Sequence, residues 1–168
     1  MVCGWMRYLG SCFWLLVPIL VWNGLLARRL PKPYRRDEFW RDIPRWIGTG
    51  ENVLRTAVMI LPLLMPLGMA TSGQRIGFAV YGIGVVLYCL SWGVQIRYPH
   101  SSWSASRLGF LAPAYTPAVW LAGIGLVGDS LYLPVAYSRW VYIALSAAFL
   151  VFHNAHAWIV HARTSLPR

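Results

Sequence analysis

Charged residues are scarce in this chain, and acidic residues are the scarcest. Only 12% of the 168 residues are charged, and five Asp and Glu stand against fifteen Lys and Arg. A soluble domain of similar length has about a quarter of its residues charged. Because 58% of the residues are also hydrophobic, the composition predicts a membrane protein rather than a soluble domain.

Several motifs that carry familiar chemistry are absent from the sequence. There is no Walker loop, no G-x-S-x-G, no H-E-x-x-H and no aspartate-rich motif for binding diphosphates through a metal. These motifs supply the phosphate cradle, nucleophile or metal ligands of their enzyme classes. Their absence argues against a nucleotide-driven pump, a serine hydrolase or a CDP-alcohol-type transferase.

Cysteine is also rare, with Cys3, Cys12 and Cys89 as its three occurrences. None of them forms a C-x-x-C pair, so the sequence offers neither a thioredoxin-type redox site nor a zinc knuckle. Pairing of Cys3 with Cys12 stays open, and two unpaired thiols are the simpler expectation.

Five apolar runs are long enough to cross a membrane. They cover residues 11–27, 53–71, 76–95, 108–127 and 140–160, and a crossing takes about 20 apolar residues, with a range of about 17–25. Each run is continuous rather than alternating, which favours helices over a β-barrel. We therefore expect an all-α, polytopic bundle of about five transmembrane helices, forming one membrane domain over residues 1–168. Because Pro62 and Pro66 interrupt the second run, a four-span bundle with that run re-entrant stays open.

The basic residues predict the orientation of this bundle. Three of them, Arg7, Arg75 and Arg139, fall on one side of the five runs, and twelve fall on the other. Short basic loops stay in the cytoplasm, so we expect the N-terminus outside and the C-terminus in the cytoplasm. The expected location is a bacterial-type cytoplasmic (inner) membrane, with membrane lipids rather than nucleic acid as the partner of the positive charge. The twelve are Arg28, Arg29, Lys32, Arg35, Arg36, Arg41, Arg45, Arg55, Arg97, Arg107, Arg163 and Arg168.

Residues 28–49, the interfacial segment, form the one sizeable extramembrane stretch on the basic side. Phe39, Trp40, Ile43, Trp46 and Ile47 recur at helical spacing among charged residues, which indicates an amphipathic segment lying in the membrane interface. Pro44 interrupts this pattern, so two short turns are as consistent with it as one helix. The segment is expected to anchor and orient the protein, and a lid over a cytoplasmic opening is the alternative.

Proline and glycine patterns predict how the helices bend and pack. Pro pairs four residues apart, Pro62 with Pro66 and Pro113 with Pro117, predict kinks in the second and fourth helices. Glycines allow close approach between membrane helices. The candidates for such contacts are Gly77, Gly82, Gly84, Gly123, Gly125 and Gly128.

The last run carries the strongest functional signal, because ionisable residues inside a membrane are costly and often functional. His153 and His156 share a helix face with Tyr142, Ser146 and Phe149. Two imidazoles at this spacing can take part in proton transfer or hold a metal or haem iron. Two buried imidazoles with purely structural hydrogen bonds are the alternative. No cofactor is identified by the sequence.

Glu51 is the one acid near the inner membrane face outside the interfacial segment, and Arg55 or Arg97 is its expected charge partner. We expect Glu51, Arg55, His153 and His156 to be catalytic, with His153 and His156 also as candidate metal ligands. A structural i, i+4 pair between Glu51 and Arg55 is the alternative. Further polar and aromatic residues are candidates for substrate binding. They are Asn23, Asn52, Tyr88, Trp92, Gln95, Arg97, Trp103, Arg107, Tyr115, Ser146 and Asn154.

Three classes of function fit these residues. The first is a small membrane enzyme that acts on an isoprenoid-, quinone- or lipid-like molecule in a polar pocket opening to the cytoplasmic leaflet. The second is an oligomeric carrier or channel subunit for small molecules. The third is a non-catalytic accessory or assembly protein. The polar cluster on the cytoplasmic side favours the enzyme.

Overall fold

The computed structural model describes residues 9–165, which are largely helical and hold no β-strand. Two short 3-10 turns lie at Cys12–Leu15 and Lys32–Tyr34. The α-helices are α1 (Val17–Leu26), α2 (Arg36–Phe39), α3 (Arg45–Leu64), α4 (Ser72–Arg97), α5 (Ser102–Ala105), α6 (Arg107–Tyr115), α7 (Pro117–Val127) and α8 (Arg139–Ser165).

Among residues 9–165, three helical stretches are long and apolar enough to cross a membrane. They are Ser72–Arg97, Arg107–Val127, which joins α6 to α7, and Arg139–Ser165, while Cys12–Leu26 is a shorter apolar stretch. Helix α3 has 20 residues, but polar residues such as Glu51, Asn52 and Arg55 lower the hydropathy of its first half. The chain is thus an all-α protein with the helices of a membrane protein.

Helix α3, which corresponds to the second apolar run of the sequence, differs from the predicted bounds 53–71 at both ends. It begins at Arg45 rather than Val53, because Pro44 occupies its N-cap with a backbone suited to a helix start. It ends at Leu64 rather than Thr71, because Met65 precedes Pro66 and adopts an extended backbone. The remaining residues pair with the N-terminal region instead, as the amide of Cys12 donates to Met65 O at 2.8 Å.

The interfacial segment forms two short turns, Lys32–Tyr34 and Arg36–Phe39, rather than one helix. Pro44 ends the segment's own structure, and residues 45–49 belong to α3. The break predicted at Pro44 is therefore confirmed.

The fourth predicted helix is interrupted between α6 and α7, at Thr116, and one carbonyl freed by proline finds a side-chain donor. Pro113 has no N–H for the carbonyl of Gly109 one turn earlier. Gln95 on α4 supplies that hydrogen bond, because its Nε2 donates to Gly109 O at 2.6 Å. A helix break in a membrane is tolerated where neighbours satisfy the backbone in this way.

Glycines bring α4 and α7 into backbone contact. Gly84 lies against the backbone of Trp120, and a Cβ at Gly123 would stand 2.5 Å from the amide nitrogen of Tyr81. Gly77, Gly125 and Gly128 also face close neighbours, as expected, whereas Gly82 faces open space and that expectation is wrong. The core cluster around this seam includes Leu16, Val58, Leu121, Ile124 and Tyr142.

The thiols within the described residues are free. Cys12 is buried and donates a hydrogen bond to Pro66 O at 3.3 Å, and Cys89 is partly buried on α4. Cys3, whose pairing with Cys12 the sequence left open, lies outside the described residues.

Candidate functional site

A fully buried carboxylate lies at the centre of the candidate site. Glu51 is in the second turn of α3, with a side-chain exposure of 0%. It accepts hydrogen bonds from Arg55 one turn later and from His153 and His156 on α8. Of the two charge partners expected for Glu51, Arg55 or Arg97, it is Arg55 that pairs with it. We call these four residues the Glu51 cluster.

Each carboxylate oxygen of Glu51 has its own imidazole partner. Nδ1 of His153 is 2.9 Å from Oε1, and Nδ1 of His156 is 2.5 Å from Oε2. The i, i+3 spacing of the two histidines places them on one face of α8, which continues through the buried side chains of Tyr142, Ser146 and Phe149, as predicted. Since a buried charge without partners is costly, these contacts keep the carboxylate ionised or sharing a proton.

Both ring nitrogens of His156 face an oxygen atom. Its Nε2 is 2.9 Å from the backbone oxygen of Phe39, and a carbonyl oxygen accepts only, so Nε2 carries hydrogen. Its Nδ1 also makes a hydrogen bond to Glu51, which therefore needs a second hydrogen on either partner.

His153 is different, because one of its ring nitrogens has no partner. Its Nδ1 donates to Glu51, which leaves Nε2 as a free lone pair in the neutral ring, and no other residue from 9 to 165 hydrogen-bonds to it. The ring stacks nearly parallel to Phe149, with ring centroids 5.4 Å apart. The His153 side chain is 20% exposed, against 0% for His156. His153 is therefore the accessible histidine of the pair.

His153 and Arg55 both line a cavity of about 520 Å³. Residues of α1, including Ile19 and Leu20, form one wall, and α3, α4, α6, α7 and α8 form the others. The cavity thus separates α1 from the rest of the bundle. Its volume lies within the range of about 300–1,000 Å³ that small-molecule sites occupy.

The interfacial segment covers the Glu51 cluster. The ring of Phe39 stacks on His156 at 4.2 Å between centroids, and Trp40 meets the same imidazole edge-on at 4.7 Å. Arg163 near the end of α8 donates to the backbone oxygens of Glu38 and Arg41. These contacts hold α2 against the cluster and exclude water from His156.

Tyr34 fixes the first turn of the interfacial segment, Lys32–Tyr34, against α6. Its hydroxyl donates to Phe110 O at 2.8 Å, and its ring stacks on that of Phe110. Burial raises the pKa of the Tyr34 phenol, so it remains a neutral donor. Tyr34, Arg36, Phe39 and Trp40 all line the cavity.

Five of the residues predicted from the sequence meet at the cavity. Asn23, Tyr88 and Trp92, which were candidates for substrate binding, line it together with Arg55 and His153. Tyr88 donates to Oδ1 of Asn23 at 2.6 Å and so links α4 to α1 across the cavity.

The other candidates for substrate binding lie outside the cavity lining. Gln95 and Asn154 donate to backbone oxygens on α6, Gly109 O and Ala114 O, and hold that broken helix in place. Ser146 is buried in the α8 face. The exposed ones are Asn52, Arg97, Trp103, Arg107 and Tyr115, of which Arg107 lies over the Trp158 ring.

The sequence did not identify Tyr34, Arg36, Phe39 and Trp40 as residues of the site. The aromatic spacing of the interfacial segment was visible, but nothing local predicted that this segment folds back onto α8. The sequence left open whether the segment is an anchor or a lid. In the structure Phe39 and Trp40 pack on His156, so the segment covers the Glu51 cluster.

Within residues 9–165, no group of three or more His, Cys, Asp or Glu side chains is arranged to hold a metal ion. Nδ1 of each histidine is engaged with Glu51. Metal binding by His153 and His156 stays a prediction without further support.

Comparisons of the chain with protein-family models, with curated proteins and with solved structures found no match.

Proposed function

We propose that the chain is a membrane-embedded enzyme that binds a lipophilic substrate in the cavity and uses His153 as its acid–base group. The observation that carries this proposal is the pairing of His153 with Glu51 at the wall of an apolar cavity. One nitrogen of the ring is fixed by a buried carboxylate, and the other is free to exchange a proton with a bound molecule. The substrate is an isoprenoid-, quinone- or lipid-like compound, since Ile19, Met59, Phe110 and other apolar residues form most of the wall.

In this proposal Glu51 acts through His153. Its carboxylate holds the imidazole in the tautomer with hydrogen on Nδ1 and stabilises the imidazolium that forms when Nε2 takes a proton from the substrate. The same proton returns to the substrate or product later in the cycle. Arg55 and His156 keep Glu51 in position, so they are positioning residues. Acid–base catalysis by a placed side chain contributes roughly 10²- to 10⁴-fold in rate.

In the proposed topology the chain crosses the membrane five times: α1 and α3 are two crossings in addition to the three long apolar stretches. The N-terminus lies outside, the C-terminus lies in the cytoplasm, and the membrane is a bacterial-type inner membrane. The excess of twelve basic residues over three supports this orientation. The Glu51 cluster then lies at the depth of the cytoplasmic leaflet, and exposed residues of α1 outside the cavity lining, such as Val21 and Leu25, face the lipid.

Turnover of lipids tests the proposal. The purified protein in nanodiscs is incubated with lipid and metabolite extracts of the cells in which it is made, and mass spectrometry identifies the species consumed and formed. The rate at which the substrate is consumed should fall roughly 10²- to 10⁴-fold in His153→Gln. His161→Gln is the matched control, because His161 lies on the same helix outside the Glu51 cluster and should leave turnover intact.

Equal turnover in His153→Gln and the wild type would exclude His153 as the acid–base group. If the wild-type protein retains a bound lipid but converts no lipid, the protein is a carrier rather than an enzyme.

A further inference from the structure

We propose that the cavity takes an amphiphile with an anionic headgroup, a phosphate or a carboxylate, with the headgroup seated against Arg36, Arg55 and His153. This inference rests on the proposed function and names the class of its substrate. Both headgroups offer the same recognition chemistry, namely anionic oxygens that accept charge-assisted hydrogen bonds.

The charge of the cavity wall is the first observation. Arg36, Arg55 and His153 line the cavity, and no Asp or Glu does so within the described residues. Arg36 makes no ion pair with any residue from 9 to 165, so its charge is available to a ligand. Glu51 lies behind the wall, where Arg55, His153 and His156 hydrogen-bond to its carboxylate.

The arrangement of polar and apolar residues along each helix is the second observation. On α3, Met59 lies one turn beyond Arg55, and on α8, Phe149 lies one turn before His153. The start of α3 contacts the C-terminal half of α8, so the two helices run in opposite directions. Since α3 begins and α8 ends beside the interfacial segment, both apolar residues lie deeper than their polar neighbours. The cavity therefore has a cationic end beneath the interfacial segment and an apolar end inside the bundle, which matches an amphiphile lying with its headgroup at the interface.

A neutral lipophile fits this arrangement less well. It would offer no acceptor to the Arg36 guanidinium, which has no ion-pair partner from residue 9 to 165, or to the Arg55 donors that Glu51 does not use. An anionic headgroup supplies acceptors to both groups, and arginine is suited to paired hydrogen bonds with carboxylate and phosphate.

Native mass spectrometry with three ligands that share one oleoyl chain tests the inference. They are 1-oleoyl lysophosphatidic acid, oleate and monooleoylglycerol, each titrated onto the full chain in a mild non-ionic detergent. The phosphate and the carboxylate should both bind at least about tenfold more tightly than the neutral glyceride, since hydrogen bonds between charged groups are the strong ones. The tighter of the two anionic ligands identifies the headgroup.

Arg36→Gln should reduce this preference about tenfold, because it removes one cation from the wall. Arg35→Gln is the matched control, since Arg35 is an exposed neighbour outside the cavity and should keep the preference. Equal affinity for the three ligands would overturn the inference, and so would an equal loss in the two variants, because general surface charge would then explain the preference.

The outcome can be separated from that of the proposed function. A wild-type protein that consumes a neutral lipid through His153 would overturn the anionic headgroup alone. Tight and Arg36-dependent anionic binding with undiminished turnover in His153→Gln would overturn the catalytic role of His153 alone.

Discussion

At the residue scale, the hydrogen bonds of Glu51 give its two histidine partners different roles. His156 is enclosed between Glu51, Phe39 and Trp40, with both nitrogens engaged. His153 has one nitrogen engaged and lines the cavity. Two imidazoles one turn apart on the same helix are therefore not equivalent, and only His153 is placed for exchange of a proton with a ligand.

The protonation of the two rings is directly testable. In ¹⁵N-histidine spectra near neutral pH, His156 should show a proton on Nε2 and a second proton in its hydrogen bond with Glu51, while His153 should show hydrogen on Nδ1 alone. The reason is that Phe39 O and the carboxylate both accept. Spectra of His153→Gln and His156→Gln assign the signals. A His156 ring with a single proton and none shared with Glu51 would contradict the geometry.

Sequence pattern alone predicted part of this site. The spacing of His153 and His156 with Phe149 placed them on one buried face, and the i, i+4 spacing of Glu51 and Arg55 predicted their pairing. The contact between α3 and α8 joins residues 102 and 105 positions apart, and no local pattern encodes such a contact. The role of the Phe39 carbonyl was equally inaccessible, because a backbone oxygen leaves no trace in the residue type.

At the element scale, proline and glycine determine where helices end and how closely they pack. The existence of the apolar helices and the break at Pro44 followed from the sequence. The end of α3 at Leu64 did not, because it depends on Met65 adopting an extended backbone before Pro66 and pairing with Cys12. The glycine seam was predicted as a group, but only the packing of α4 on α7 shows which glycines are enclosed.

Gly123 and Gly82 provide a matched pair for testing this seam. Gly123→Ala should destabilise the protein by about 1–3 kcal/mol, because the new Cβ enters the backbone of Tyr81 and the helices must separate. Gly82→Ala meets open space and should stay within about 0.5 kcal/mol. Reversible unfolding in detergent, followed by circular dichroism, measures both. Equal stability of the two variants would contradict direct backbone contact at Gly123.

At the scale of the whole molecule, the cavity lies between α1 and the other helices of the bundle. Hydropathy predicted a membrane protein, and the basic residues predicted an orientation. Neither predicts a cavity, since the size of a space between helices depends on how the interfacial segment and the α6–α7 break hold them. Asn23, Tyr88 and Trp92, which the sequence grouped with Arg97 and Trp103, line the cavity, whereas Arg97 and Trp103 lie outside its lining.

The proposed topology predicts which exposed positions a membrane-impermeant thiol reagent reaches. In a background with Cys3, Cys12 and Cys89 replaced by Ala, Ser130→Cys should react in intact spheroplasts. Ser102→Cys should react only after permeabilisation, because the positive-inside rule places its loop in the cytoplasm. Both serines are exposed in the structure, so access to each depends on the side of the membrane. The reverse pattern would invert the orientation.

In the proposed enzyme, Glu51 and His153 act as one catalytic unit at the cavity. The most direct measurement is the turnover rate of Glu51→Gln, His153→Gln and the double variant on the substrate found by mass spectrometry, with Arg97→Gln as a control away from the cavity. Residues that act as a unit give non-additive losses, so the double variant should be no slower than His153→Gln alone. Losses that multiply, or full activity in Glu51→Gln, would contradict the claim.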